Sequence, residues 1–357
     1  MSDFDYGNAR LRVMKSRLFS RRELEALVEI SNLQGLIAAL TQTAYRKPVE
    51  TALARTSGMD CIVEALHDDL IHTLWKARGF YQDRAGEMVA ILYRFYDVQN
   101  LKAIFRGVDR QVPPPEIGPA LLPVGELTDT LLADLVRAPG PRYVIDLLAS
   151  IGLPFAQPLL HLRAEHPGAG TLEMELALDK WYFQESFQAL QYNGQHEVLL
   201  AALQLEADLI NLLTVLRFAF APEEHKHLRD RFNTENIADL FVGPGKIPTQ
   251  VLTQAGHQDS VEAAVATLVE TLYAHPLKAG LETYTRSALL STFERELKRF
   301  RLKWMSGLMM KDPLGIGVPT GYLALKINEV NNLRWIAQGI HMGLKTDTIR
   351  KELEVLA

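Results

Sequence analysis

Asp208-Leu-Ile-Asn211-Leu212-Leu-Thr-Val215 decides the fold, because it is written twice more in the same chain. The other copies are Asp97-Val-Gln-Asn100-Leu101-Lys-Ala-Ile104 and Glu329-Val-Asn-Asn332-Leu333-Arg-Trp-Ile336. The signature recurs about every 110–120 residues, too far apart for a solenoid unit and close to the size of a whole domain. At about 100° per residue, its acid, amide, leucine and final aliphatic residue share one helix face. That face is the apolar one, so the carboxylate and the asparagine are expected to be buried. Unpaired, they would cost several kcal/mol. Each acid–amide pair is therefore expected to hydrogen-bond backbone groups of a nearby helix end or Gly/Pro-rich loop inside its own domain. A general acid or base is the competing reading of a carboxylate on an apolar face. Its repetition on three separate segments favours structure over catalysis.

Working outward, the long segments carry helical periodicity, as in Leu205-Leu209-Leu212-Leu216 and Val261-Val265-Leu268. None shows a convincing strand alternation. The fold class is all-α, with three similar helical-bundle domains from a triplicated unit. Pro113-Pro114-Pro115 and Pro222 follow the first two signatures and mark boundaries, since proline rejects a helix interior. The expected domains are 1–112, 113–221 and 222–357, the last with a C-terminal extension. Weaker echoes support the division. Leu40, Thr43, Tyr45, Pro48 and Leu53 match Leu268, Thr271, Tyr273, Pro276 and Leu281 in spacing. The middle segment keeps Leu147, Ser150, Gly152 and Leu160 but lacks the proline. Pro123-Val-Gly125-Glu-Leu127 loosely matches Pro244-Gly245-Lys-Ile247. The third signature has Glu329 for Asp, and Gln338 where Arg106 and Arg217 stand. Those differences imply copies that face different partners.

The 357 residues are 48% hydrophobic with a net charge of −5, which permits sizeable cores and argues against a general nucleic-acid binder. A single cysteine, Cys61, cannot form an internal disulfide and fits a reducing compartment. The opening Met-Ser-Asp-Phe-Asp lacks the basic and apolar regions of a secretion signal, so none is expected. The best candidate for a membrane span, Val198 to Ala221, is interrupted by Glu206, Asp208, Asn211 and Arg217, and no stretch is expected to span.

No catalytic, cofactor or metal site is expected. Gly315-Ile-Gly317-Val-Pro-Thr-Gly321 follows no strand and reads as a loop opening the last long helix rather than a dinucleotide fingerprint. Gly245-Lys246 lacks the rest of a phosphate loop. His225 and His227 beside Glu223 and Glu224 diverge on a helix, and the acids suit a helix start. Glu64, Asp68 and His72 share a face that reads as solvated. Two basic stretches remain as candidate partner-facing surfaces: Arg10, Arg12 and Lys15 near the start, and Lys298, Arg299 and Arg301 further on. They could meet acidic partner loops or anionic lipid heads.

Three features together are similar to one known family. They are Tyr6-Gly-Asn8-Ala9-Arg10-Leu11-Arg12 at the start, the three Asp/Glu-x-x-Asn-Leu helices, and Asp312-Pro313-Leu314-Gly315-Ile-Gly317-Val-Pro-Thr-Gly-Tyr322 before the last signature. Across essentially its whole length the chain resembles the C-subunit of bacterial and archaeal V/A-type rotary ATPases, whose counterpart in the eukaryotic vacuolar enzyme is the d-subunit. The resemblance implies a funnel of three helical domains on the cytoplasmic mouth of the membrane proteolipid ring, receiving the lower end of the central rotor axle. It implies a non-catalytic central-stalk component with no cofactor, no small-molecule substrate, no nucleic-acid partner and no transmembrane span of its own. A generic helical adaptor that binds partner helices is the alternative. A metal-dependent hydrolase built on the His67–His72 or His225–His227 region is more remote.

Overall fold

The computed structural model describes residues 3–192, 197–228, 232 and 234–355, without the side chains of Tyr192, Pro222, Glu224 and His225. Helices are its only extended regular elements among these residues, as the periodicity requires. Their order has a threefold rhythm of three short helices, one long helix, then the signature helix. The first set is Arg21–Val28, Leu33–Leu40, Arg46–Leu53, Gly58–Arg78 and the first signature helix, Asp83–Asp109. The second is Asp129–Leu135, Pro141–Ser150, Ala156–Glu165, Thr171–Tyr192 and the second signature helix, Glu197–Phe220. The third is Thr249–Gly256, Val261–Thr267, Ala274–Ser287, Ser291–Lys311 and the third signature helix, Gly317–His341.

Local chemistry sets the starts of the short helices. Ser20 and Glu23 form a reciprocal capping box, Thr128 caps the Asp129 helix, and Asn32 and Ser260 cap the second helices of their sets. Each third short helix instead begins after a buried aromatic residue at the N-cap: Tyr45, Phe155 and Tyr273. Three residues on stands a proline, Pro48, Pro158 or Pro276. A first-turn proline costs no intrahelical bond, because that N–H has no partner in the helix. The expectation that the middle segment lacks this proline is therefore corrected. Leu40 ends its helix, whereas Leu147 stands three residues before the end of its own at Ser150, so Pro158 falls three residues outside the spacing counted from Leu147.

The chain divides into two compact units, one built from residues 1–93 and 302–357 and the other from residues 94–301. In the first, the third signature helix packs on Gly58–Arg78 and on the N-terminal helix Asp5–Lys15. In the second, the second signature helix packs on Thr249–Gly256, Val261–Thr267 and Thr171–Tyr192. Glu197–Phe220 is long and apolar enough to cross a membrane by length and composition alone, with a mean hydropathy of 1.7 over its best window. More than half of that window is buried inside the unit, and Asp208 and Asn211 are bonded there, which marks a core helix.

Candidate functional site

The three signatures are buried as their helical phase demands. Asp97 and Asp208 are 0% exposed, Asn211 1%, Asn100 and Asn332 3%, and Glu329 5%. Leu101, Leu212 and Leu333 are equally sunk in the cores. Each asparagine forms a two-bond ring with one backbone residue. The Asn100 amide donates to the Leu122 carbonyl at 2.7 Å and accepts from the Leu122 N–H at 2.7 Å. Asn211 does the same with Val242 at 3.2 and 2.8 Å, and Asn332 with Glu354 at 3.0 Å both ways. Only a side-chain amide offers a donor and an acceptor side by side, which explains the residue type.

The first two carboxylates take the next residues of the same loop, and the third takes a different segment. Asp97 accepts from the N–H groups of Glu126 and Leu127 at 2.7 and 3.1 Å. Asp208 accepts from Lys246 and Ile247 at 2.9 and 3.2 Å, and from the Tyr273 hydroxyl at 2.9 Å. Glu329 accepts from the Phe19 N–H at 2.6 Å and the Tyr45 hydroxyl at 2.7 Å. Tyr45 and Tyr273 are the two tyrosines of the weaker echo, so the echo and the signature are two halves of one buried contact. The middle copy has Phe155 at this position, which supplies no hydroxyl.

Glycine makes room for the aspartates. A Cβ on Gly125 would lie 2.0 Å from the Asp97 carboxylate, and one on Gly245 would lie 1.7 Å from that of Asp208. The longer Glu329 reaches its loop where no such glycine stands, since Arg17 and Leu18 precede Phe19. This site also carries a cation. Lys326 Nζ lies 2.9 Å from Glu329, 2.8 Å from Asp69 and 2.7 Å from the Tyr45 hydroxyl, over whose ring it sits at 4.5 Å. Sequence reading missed Lys326 and Asp69. The spacing Lys326–Glu329 was visible, but Asp69 is distant in the chain.

The expectation that each pair bonds within its own domain is corrected. The loops at 122–127 and 242–247 lie beyond the boundaries expected at 112 and 221. The third signature is served by Phe19 from near the start and Glu354 from near the end of the chain. The physical reason is that a buried polar pair needs backbone donors that no helix uses, and these lie in loops outside the segment that carries the signature.

Burial pushes the Asp208 carboxyl above its ordinary value, outweighing its hydrogen bonds to Lys246, Tyr273 and Ile247. For an acid with a raised folded value, the contribution to stability is greatest below the unfolded value of about 3.9 and falls as pH rises through the folded one. The expected result is that the stability of the native chain minus that of Asp208→Asn declines as pH is raised from about 4. Denaturant midpoints at several pH values check this, and a difference that grows with pH would refute it.

The basic residues nominated as partner-facing divide. Arg10, Arg12, Lys15 and Lys298 are exposed. Arg12 also donates to the Pro313 carbonyl, and Asn8 donates to that of Gly315 at 3.0 Å while accepting from Tyr81 at 2.8 Å. The opening and closing motifs thus meet in one contact. Asp312 turns the closing loop by accepting from the Gly317 N–H at 2.8 Å, and Gly317 opens the last signature helix. Arg299 is held by Glu296 at 2.8 Å and Arg301 by Glu206 at 2.5 Å, so these two serve intramolecular pairs. Arg106 and Arg217, read as partner-facing differences from Gln338, pair with Glu175 and with Glu294, the latter at 3.6 Å. Among the described residues no three His, Cys, Asp or Glu side chains gather to hold a metal ion. The side chains of Glu224 and His225 lie outside the described residues.

Three buried carboxylate–amide pairs take the chain's own backbone, phenols and a lysine as partners, within an all-helical fold. Comparison with known proteins gives the family. Residues 7–352 match the family of the ATP synthase (C/AC39) subunit, and the chain belongs to it. It is similar to the C-subunit of the A-type ATP synthase of Haloferax volcanii, with 26% identity over 358 residues, covering 99% of this chain and 98% of the relative. The corresponding A-type ATP synthase C-subunit of Haloquadratum walsbyi is 23% identical, with 98% of each chain covered. That of Methanosarcina acetivorans is 26% identical over 99% of this chain and 94% of its own length.

Proposed function

We propose that this chain is a non-catalytic central-stalk component of an A-type ATP synthase, linking a rotor axle to a membrane proteolipid ring. The observation that carries the reading is the family match across residues 7–352. The buried pairs support it physically, because a connector under torque needs stiffness, and satisfied polar networks in close-packed helices supply it. The same reading takes the three five-helix sets as copies of one domain, with boundaries near 112 and 221. It places the chain on the cytoplasmic face of the membrane as a peripheral part of the complex. No step of ATP chemistry is assigned to it.

Native mass spectrometry of the detergent-solubilised synthase, with and without this chain, tests the proposal. One copy per complex, and separation of head from ring on its removal, is expected. A complex that holds together without it would replace the connector with a general helical adaptor. At moderate salt, reversing charge at Arg10, Arg12 and Lys15 is expected to weaken assembly with axle or ring, read as loss of this chain from the complex on gel filtration. Unchanged assembly would remove this helix from the interface.

A further inference from the structure

The N-terminal helix carries a second surface that the buried pairs do not use. Its inner face buries Gly7, Asn8 and Leu11, and a different stripe, Tyr6, Arg10 and Val13, points outward. Tyr6 is 58% exposed and Val13 56%. The stripe continues onto the end of Gly58–Arg78. The Tyr6 and Phe80 rings meet edge to face at 6.0 Å, and the Arg10 guanidinium sits 5.9 Å from Tyr6 and 5.4 Å from Phe80. Two residues before Phe80, Arg78 lies 5.6 Å over the ring of Trp75, itself 45% exposed.

This region is also locally basic. Residues 3–17 and 75–84 together hold seven Lys and Arg against Asp3, Asp5 and Asp83, on a chain whose net charge is −5. Such a local excess attracts an anionic surface. Large aromatic rings with one polar end, interleaved with long basic side chains, match the level of lipid headgroups. There the ring enters the acyl boundary and the cation meets phosphate. The second side of the helix continues the pattern. Arg12 holds Pro313, which leads into Leu314, 67% exposed, and one turn earlier Met310 is 81% exposed beside exposed Lys311. An acidic protein loop would match the cations but would give these apolar side chains no apolar neighbour.

We propose that this face, centred on Tyr6, Arg10 and Trp75, binds the headgroups of anionic phospholipids. The inference deepens the membrane-side placement and rests on that reading. Its test uses the isolated full-length chain, so it does not depend on assembly of the synthase.

The probe is co-sedimentation with vesicles of phosphatidylcholine containing about one third phosphatidylglycerol, against pure phosphatidylcholine, across a salt series. Binding is expected only to the anionic vesicles, and it should weaken as salt rises. The double variant Arg10→Glu, Arg78→Glu and the double variant Tyr6→Ser, Trp75→Ser are each expected to lower the partition coefficient at least tenfold. Lys298→Glu, in the other unit, is expected to leave it unchanged. Thermal unfolding of each variant checks that the fold is retained, and the single variants Arg10→Glu and Trp75→Ser, expected to weaken binding several-fold, stand in for any double variant that unfolds. Absence of binding to the anionic vesicles, equal binding to both vesicle types, or native-like binding by folded variants would each overturn the proposal. So would a charge-reversed variant that binds vesicles normally but no longer joins the synthase, which would assign the face to a protein neighbour.

Discussion

Asp208→Ala is expected to lower the stability of the chain by about 3–5 kcal/mol, among the largest effects of any single substitution here. Three donors converge on this carboxylate: the N–H groups of Lys246 and Ile247 and the hydroxyl of Tyr273. Tyr273 is itself 0% exposed, and burial, with Asp208 next, raises its phenol far above the ordinary range, so it remains a donor. Alanine removes the acceptor and leaves three donors in a site that water does not reach. A double-mutant cycle isolates the cause. Tyr273→Phe alone should cost about 1–2 kcal/mol, but close to nothing when Asp208 is already alanine. Full additivity in urea unfolding would show that the phenol and the carboxylate do not interact.

Gly245→Ala should rival that loss through the opposite route, by adding an atom. The new Cβ would sit 1.7 Å from the Asp208 carboxylate, well inside any permitted contact. The loop must retreat, and in doing so it withdraws the Lys246 and Ile247 donors. A cost of about 3 kcal/mol or more follows from bonds broken in a buried site. Gly125→Ala should act in the same way at Asp97, where the approach is 2.0 Å. Gly168→Ala is the control, since nothing lies within 4 Å of its added Cβ, and it should stay within about 0.5 kcal/mol. Parallel unfolding curves for Gly245→Ala and Gly168→Ala would mean that the loop does not depend on this close approach.

Both expectations rest on positions whose residue types were legible before any coordinates. Phase along a 3.6-residue helix places Asp208, Asn211 and Leu212 on one face whatever surrounds the helix, so their burial followed from spacing alone. Gly125 and Gly245 were visible only as a loose likeness between two loops. Their purpose appeared once Asp97 and Asp208 were found against them. Pro158 was hidden because the helix before it, Pro141–Ser150, runs ten residues against eight for Leu33–Leu40, so a spacing counted from a leucine inside the helix misses it.

The sequence by itself determined the helical class, the three signatures and their burial, since these depend on periodicity and on the cost of burying a carboxylate. Only the tertiary structure decided which groups meet those carboxylates. It paired Glu329 with Phe19 and Tyr45, and Lys326 with Asp69, contacts between residues far apart in the chain. It also committed Arg301 to Glu206 on another helix, whereas the Glu296 that holds Arg299 stands one turn before it on the same helix. Local periodicity fixes which way a side chain faces. The partner it finds is set by how distant segments pack, and that information is spread over the whole chain.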